Sequence, residues 1–196
     1  MAANPVGLLR PEEYLAIERE AEVRSEYFQG RMYLMAGGTA PHSLISGNLG
    51  WAARNALGGK RCLVYSSDLR VLVTASGLYT YPDLSMVCGD PIFADAAIDT
   101  LTNPTVIVEV VSKSTEAYDR GEKFALYRGV ESLQEYVIVS QTRPRVERFS
   151  RQAEGNWLVS SVEGMDGVLR LDSVGCEIPL REIFHLVKFP EEDLLR

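Results

Sequence analysis

Three charged features stand where core residues would be expected. Asp83 follows Tyr81-Pro82 and leads into the apolar run Leu84-Ser85-Met86-Val87. Proline cannot donate to a β-ladder, so this point is a strand start or a bulge, and bulges beside active sites re-aim side chains. A plain Pro-Asp turn is the alternative. Glu109 interrupts Thr105-Val106-Ile107-Val108 and Val110-Val111, the most apolar strand-like stretch of the chain. Strand alternation puts Val106, Val108 and Val110 on one face and Ile107, Glu109 and Val111 on the other. An isolated ionised carboxylate in an apolar interior neutralises unless it is paired or holds a metal. A structural ion pair, or a strand face open to solvent, is the competing account. Asp119, Lys123 and Tyr127 follow at i, i+4 and i+8, one face of a helix with Glu116 near the same stripe. A solvated face carrying an Asp–Lys pair worth about 0.2–0.5 kcal/mol is the alternative there.

Together these residues suggest a specific chemistry. A β-α-β unit folds its helix back over the strand it follows. Glu109 and Lys123 can then meet at the C-terminal end of the strand, where ligands of open α/β sheets bind. An Asp and a Glu converging there repel unless a cation joins them. Hard cations such as Mg²⁺ take carboxylate, carbonyl and water oxygens. The chain has two histidines, His42 and His185, so a zinc site of the His₃ or HExxH type lacks material. An oxygen-rich Mg²⁺ or Mn²⁺ site held by Asp83 and Glu109, with a lysine nearby, suits phosphodiester hydrolysis. The metal activates water and offsets phosphoryl charge, and the lysine assists both.

The elements that must position these groups follow from periodicity. Residues 11–21 begin with Pro, carry acidic residues in the first turn and show an apolar face, predicting a helix. Residues 25–36 predict two strands joined by a tight turn at Gln29-Gly30. Residues 41–57 carry Leu44, Ile45, Leu49, Ala52, Ala53 and Leu57 at helical spacing, and Gly58-Gly59 stop the helix. Strands are expected over CLVYSS, DLRVLV, LYTYPDLSMVCG, TVIVEVV and QEYVIVS, and near 144–150, 156–162 and 167–171. Residues 90–103 are expected as a loop or short helix, 115–129 as one strong helix and 179–185 as a short one. TVIVEVV and QEYVIVS, joined by a helix, should be parallel and the rest antiparallel. The class is α/β (α+β), a mixed central β-sheet flanked by helices.

Composition bounds the rest. The 196 residues, 46% hydrophobic and 24% charged, predict a single domain spanning 1–196 with a proper core. Cys62, Cys88 and Cys176 form no CxxC pair, and their odd number predicts three free, mostly buried thiols. No run reaches the roughly 18 apolar residues of a membrane helix. The N-terminus has no basic segment followed by a long apolar one, so a cytoplasmic protein is expected. A net charge of −7 opposes loose, charge-driven nucleic-acid binding and suits carboxylates gathered around a cation. In Arg143-Pro-Arg145-Val-Glu-Arg148-Phe-Ser-Arg151, alternation splits the arginines between faces, so an exposed hairpin is expected ahead of a nucleic-acid surface. Lys60-Arg61 and Arg70 are equally ambiguous. His185 has no partner in sequence and reads as structural.

The order Pro82-Asp83, then Glu109 in an apolar strand, resembles the PD-(D/E)XK nuclease superfamily. More closely, the chain is similar to the Uma-type family of restriction-endonuclease-like proteins. The matching stretches are SEYFQGRMYLMAGGTAPH, SSDLRVLV, YPDLSMVC, PTVIVEVVSKST, DRGEKFALYRGV and QEYVIVS, which span about residue 11 to about 185. The resemblance implies a restriction-endonuclease-like core, Asp83 and Glu109 as metal-binding carboxylates, and Glu26 as a further acidic residue close to the site. It also implies a nucleic-acid substrate, DNA first, and a homodimer. One position departs from the pattern: the superfamily's lysine two residues after the Glu is Val111 here. Lys113 shares the Glu109 face but lies four residues on, about 13 Å along the backbone. Lys123, in the family's Asp-x-x-x-Lys-x-x-x-Tyr helix, is the better candidate, with Asp119 and Tyr127 as auxiliaries. His42 sits at a helix start, where the dipole is positive. The family carries a histidine there, implying a contact to phosphate or the attacking water. Local packing is the alternative.

Overall fold

The structure, a computed structural model, describes residues 8–190. The sequence reading of residues 1–7 as leaderless lies outside them. Helix α1 (Pro11–Glu20) leads into the hairpin β1 (Ser25–Phe28) and β2 (Arg31–Leu34). Its turn is Gln29-Gly30 with φ of 48° and 81°, the left-handed pair that matches strand twist in a two-residue hairpin. Helix α2 (Ala40–Leu57) starts at Thr39, whose side chain accepts from the His42 N–H, and stops at Gly58 in the left-handed region. Then come β3 (Cys62–Ser66), β4 (Arg70–Val73), β5 (Leu78–Thr80), β6 (Leu84–Cys88), β7 (Thr100–Leu101) and β8 (Val106–Val111). A helical segment follows as α3 (Glu116–Tyr118), a π-turn (Asp119–Lys123) and α4 (Phe124–Tyr127). The chain continues through β9 (Glu135–Ser140), β10 (Arg145–Arg151), β11 (Trp157–Glu163), β12 (Val168–Leu171), β13 (Cys176–Pro179) and α5 (Leu180–Ile183).

The expected single sheet is two sheets and a hairpin. One is five-stranded, β2-β1-β5-β4-β7. The other is six-stranded, β11-β10-β9-β8-β6-β3, and β12-β13 stand apart. β8 and β9 pair in parallel as the β-α-β pattern requires, while β6 runs antiparallel to β8. The stretch LYTYPDLSMVCG, expected as one strand, breaks at Tyr81-Pro82-Asp83. β5 stays in the first sheet and β6 enters the second, because Pro82 interrupts the ladder where the chain changes partners. The segment 90–103, expected as a loop or short helix, is mostly loop and adds the two-residue strand β7, parallel to β4.

The two faces of β8 enter different cores. Val106, Val108 and Val110 pack with α2, β12, β13 and α5 through Ile45, Leu49, Leu169, Ile178 and Ile183. Ile107 and Val111 pack with Val71, Val73 and Leu78 from the other sheet, Tyr127 from the helical segment and Tyr136 from neighbouring β9. Glu109 is therefore aimed between layers, not at solvent.

Two further expectations change. Cys62 and Cys88 form a disulfide, and Cys176 alone is a free, buried thiol. The reason is register: β3 and β6 pair antiparallel with Cys62 directly opposite Cys88, a relation that a 26-residue separation conceals. The arginines of β10 do lie on a hairpin, β10–β11, but they are half-buried because β10 is also covered by β9. Arg145 pairs with Glu147, Arg148 with Glu135 and Asp172, and Arg151 donates to the carbonyls of Leu133, Arg128 and Val130. Lys60, Arg61 and Arg70 likewise have partners within the chain. No helix among the described residues is long and apolar enough to cross a membrane.

Candidate active site

The site is assembled by four elements. β1 brings Glu26, the β5–β6 break brings Asp83, β8 brings Glu109, and the helical segment after β8 brings Asp119, Lys123 and Tyr127. Glu26, Glu109, Asp119 and Lys123 are each at most 7% exposed. The π-turn interrupts the single α-helix expected over 115–129, yet Asp119, Lys123 and Tyr127 still share one buried face. Single π-turns of this kind recur at functional sites. Glu116, expected near that stripe, pairs instead with Arg120.

Lys123 is the hub. Its Nζ lies 2.9 Å from Glu109 Oε1, 3.1 Å from Glu26 Oε1 and 3.8 Å from Asp119 Oδ1. The Tyr127 hydroxyl donates to Glu109 Oε1 at 2.7 Å. The Thr80 hydroxyl donates to Glu26. Sequence reasoning missed Thr80. No spacing along the chain marked it, since its partner Glu26 lies 54 residues away.

Asp83 sits at the entrance of β6. The pairing Leu84↔Val108, extended by one residue, sets Asp83 beside Glu109. Its Oδ2 accepts the Val110 N–H at 2.7 Å, and His42 Nε2 lies 3.1 Å from Oδ1 and 3.2 Å from Oδ2. His42 thus faces a carboxylate, whereas the sequence suggested a phosphate, water or purely local packing. Lys113 lies past the end of β8 and is exposed.

The electrostatics follow from one cation facing three buried carboxylates. Burial pushes the Glu109 carboxyl up to about 8, with Lys123 opposing and Asp83 and Asp119 reinforcing. Burial also raises Asp119 against the pull of Lys123. Burial alone would lower Lys123, but Glu109, Tyr127, Glu26 and Asp119 outweigh it and hold the ammonium protonated. His42 is raised chiefly by its hydrogen bond to Asp83.

The donor chemistry fits a hard divalent cation. Asp83 and Glu109 are neighbouring carboxylates, and the contacts of Lys123 and Tyr127 to Glu109 both fall on Oε1. Among the described residues no three or more His, Cys, Asp or Glu side chains gather as a ready metal cluster.

Mixed sheets flanked by helices place the chain in the α+β class of fold. A crystal structure described as a putative nuclease belonging to DUF820, from Anabaena variabilis ATCC 29413, superposes with a TM-score of 0.74. It covers 92% of this chain and 99% of that one at 15% identity. The chain belongs to the Uma2 family, described as putative restriction endonuclease, which matches residues 11–181. Relatives include two uncharacterized proteins of Synechocystis sp. (strain PCC 6803). Protein slr1290 is 38% identical over 185 residues, 94% of this chain and 96% of that protein. Protein sll1609 is 33% identical over 164 residues, 84% and 93% of the two chains.

Proposed function

We propose that this chain is a divalent-metal-dependent endonuclease hydrolysing phosphodiester bonds of nucleic acid, DNA first. The observation that carries the reading is the 2.9 Å approach of Lys123 to Glu109. A helix lysine reaches the carboxylate that Val111, in the family's lysine position, cannot serve. Asp83 and Glu109 would hold Mg²⁺ or Mn²⁺, which supplies activation of water and charge neutralisation at phosphorus. Lys123 holds a permanent positive charge beside the site, where transition-state charge collects. Glu26 and Asp119 keep that ammonium in place, Tyr127 holds Glu109, and His42 orients Asp83. The same reading takes the chain as one domain, acting as a cytoplasmic homodimer. Light scattering on the purified protein tests the dimer.

A second reading has its own support. Lys123 and its carboxylates already neutralise one another, as a structural ion-pair network does, so a catalytically silent binding module also fits. Plasmid nicking with Mg²⁺ or Mn²⁺ separates the two. Nicking by the native protein and not by Asp83→Ala supports the nuclease. Equal nicking by both, or none by either, rejects it.

A further inference from the structure

Thr80 is fully buried, yet it belongs to β5 of the five-stranded sheet, whereas Glu109 lies on β8 of the six-stranded one. Its hydroxyl donates to Glu26 Oε1, the oxygen that Lys123 also meets. On the other side of the ammonium, Tyr127 donates to Glu109 Oε1, again the oxygen that Lys123 meets. A hydroxyl has one proton. With the Thr80 proton on Glu26 and the Tyr127 proton on Glu109, the 3.4 Å approach of the two hydroxyl oxygens is a packing contact. Five groups close a ring: Lys123, Glu109, Tyr127, Thr80 and Glu26. Each carboxylate in it is held by one hydroxyl and by the shared ammonium.

The symmetry has a consequence. Without Thr80, Glu26 loses its hydroxyl partner and its fixed rotamer, and the ammonium pairs more fully with Glu109. A Glu109 oxygen neutralised by lysine is a poorer cation ligand. We propose that Thr80 is a positioning residue that fixes Glu26 against Lys123, so that the ammonium stays divided between Glu26 and Glu109. The effect on cation binding rests on the reading of Asp83 and Glu109 as metal-holding carboxylates. The placement of Lys123 does not.

The test uses the full chain with ¹⁵N-labelled lysine and no metal. An ammonium buried between two carboxylates exchanges slowly enough with water to give its own NMR resonance, assigned by its loss in Lys123→Met. Native protein and Thr80→Ser should show this resonance at one position, and Thr80→Val should shift or lose it. A native resonance in Thr80→Val, or equal perturbation in Thr80→Ser, overturns the proposal. Mn²⁺ titration followed by electron paramagnetic resonance is the second readout. Thr80→Val should weaken Mn²⁺ binding about tenfold, the usual scale for loss of an outer-shell partner, and Thr80→Ser should restore it. If the native protein binds no Mn²⁺, the metal reading fails and the ammonium resonance alone still decides the placement of Lys123. Should Thr80→Val not fold, Glu26→Gln removes, at constant size, the carboxylate charge that Thr80 holds against Lys123. An unchanged Lys123 resonance in that variant overturns the proposal too.

Discussion

Two buried polar networks flank the break between β5 and β6, and they handle charge differently. In one, Arg70 donates to Thr100 and Tyr81 and pairs with Asp99 at 2.9 Å, while Tyr81 donates to Glu18. Asp99 continues to Arg19, which also meets Asp95, and the side chains of both aspartates are at least 33% exposed. Excess charge on this side drains to solvent, and Asp99 is held below the usual carboxylate range chiefly by Arg19. In the other, Lys123 faces Glu26, Glu109 and Asp119 with no side chain of the four more than 9% exposed. Excess negative charge there is sealed in, and Glu109 and Asp119 are pushed up. A guanidinium fork with an outlet to water builds a strut. A point-charge ammonium among too many carboxylates leaves a site that a proton or a cation must complete.

Substitutions on the two sides should separate strut from site. The largest effect concerns activity. Asp83→Ala or Glu109→Gln should lower Mg²⁺-dependent plasmid nicking by about 10²-fold or more, the scale for losing a key electrostatic group. Asp99→Asn should leave nicking intact. Comparable losses from all three would erase the distinction.

Removing the cation from each network comes next. Lys123→Met should destabilise the protein by about 3–5 kcal/mol, the cost of leaving buried partners unpaired, measured by urea unfolding at neutral pH. The loss should shrink on acidification as the abandoned carboxylates take up protons. Arg70→Met should cost less, since Asp99 keeps Arg19 and solvent, and that cost should not relax at mildly acidic pH.

Divalent cations should stabilise through one network alone. At a hundredfold excess over Kd the expected gain is about 2.7 kcal/mol, read as a higher melting temperature with Mn²⁺. Glu109→Gln should abolish the gain and Asp99→Asn should keep it. A gain that survives Glu109→Gln would move the cation elsewhere.

The smallest effect is the metal-free pH profile. Glu109 is raised from 4.5 to about 8, so between those values the folded state binds more protons than the unfolded. Stability from this group is full below the lower value and is lost as pH rises through the higher. Asp119 acts in the same direction. Asp99 acts oppositely, with a contribution present at neutral pH and lost only as pH falls below its usual 3.8. Chemical denaturation at several pH values should show the decline toward pH 8, and Glu109→Gln should flatten it.

Much of this arrangement was legible beforehand. Alternation assigned both faces of β8, because each face meets a different core and a strand has only two. The i, i+4, i+8 spacing of Asp119, Lys123 and Tyr127 survived a π-turn that no spacing rule would reveal. Thr80 was not legible. Its partners come from β1 and from the helical segment after β8, 54 and 47 residues away. The Cys62–Cys88 bond was misread for the same reason, since an antiparallel register is a tertiary fact.

The sequence by itself determined the parallel β8–β9 unit, the helix that crosses between them and the candidate carboxylates Asp83 and Glu109. Local periodicity and the cost of burying charge act within a few residues and are written in order along the chain. Only the tertiary structure decided that Pro82-Asp83 is where the chain changes sheets, that His42 faces Asp83, and that Lys123 is shared by Glu26 and Glu109. Those relations depend on how the sheets and helices close on one another, and a buried ammonium takes its partners from whatever that closure brings within about 3 Å.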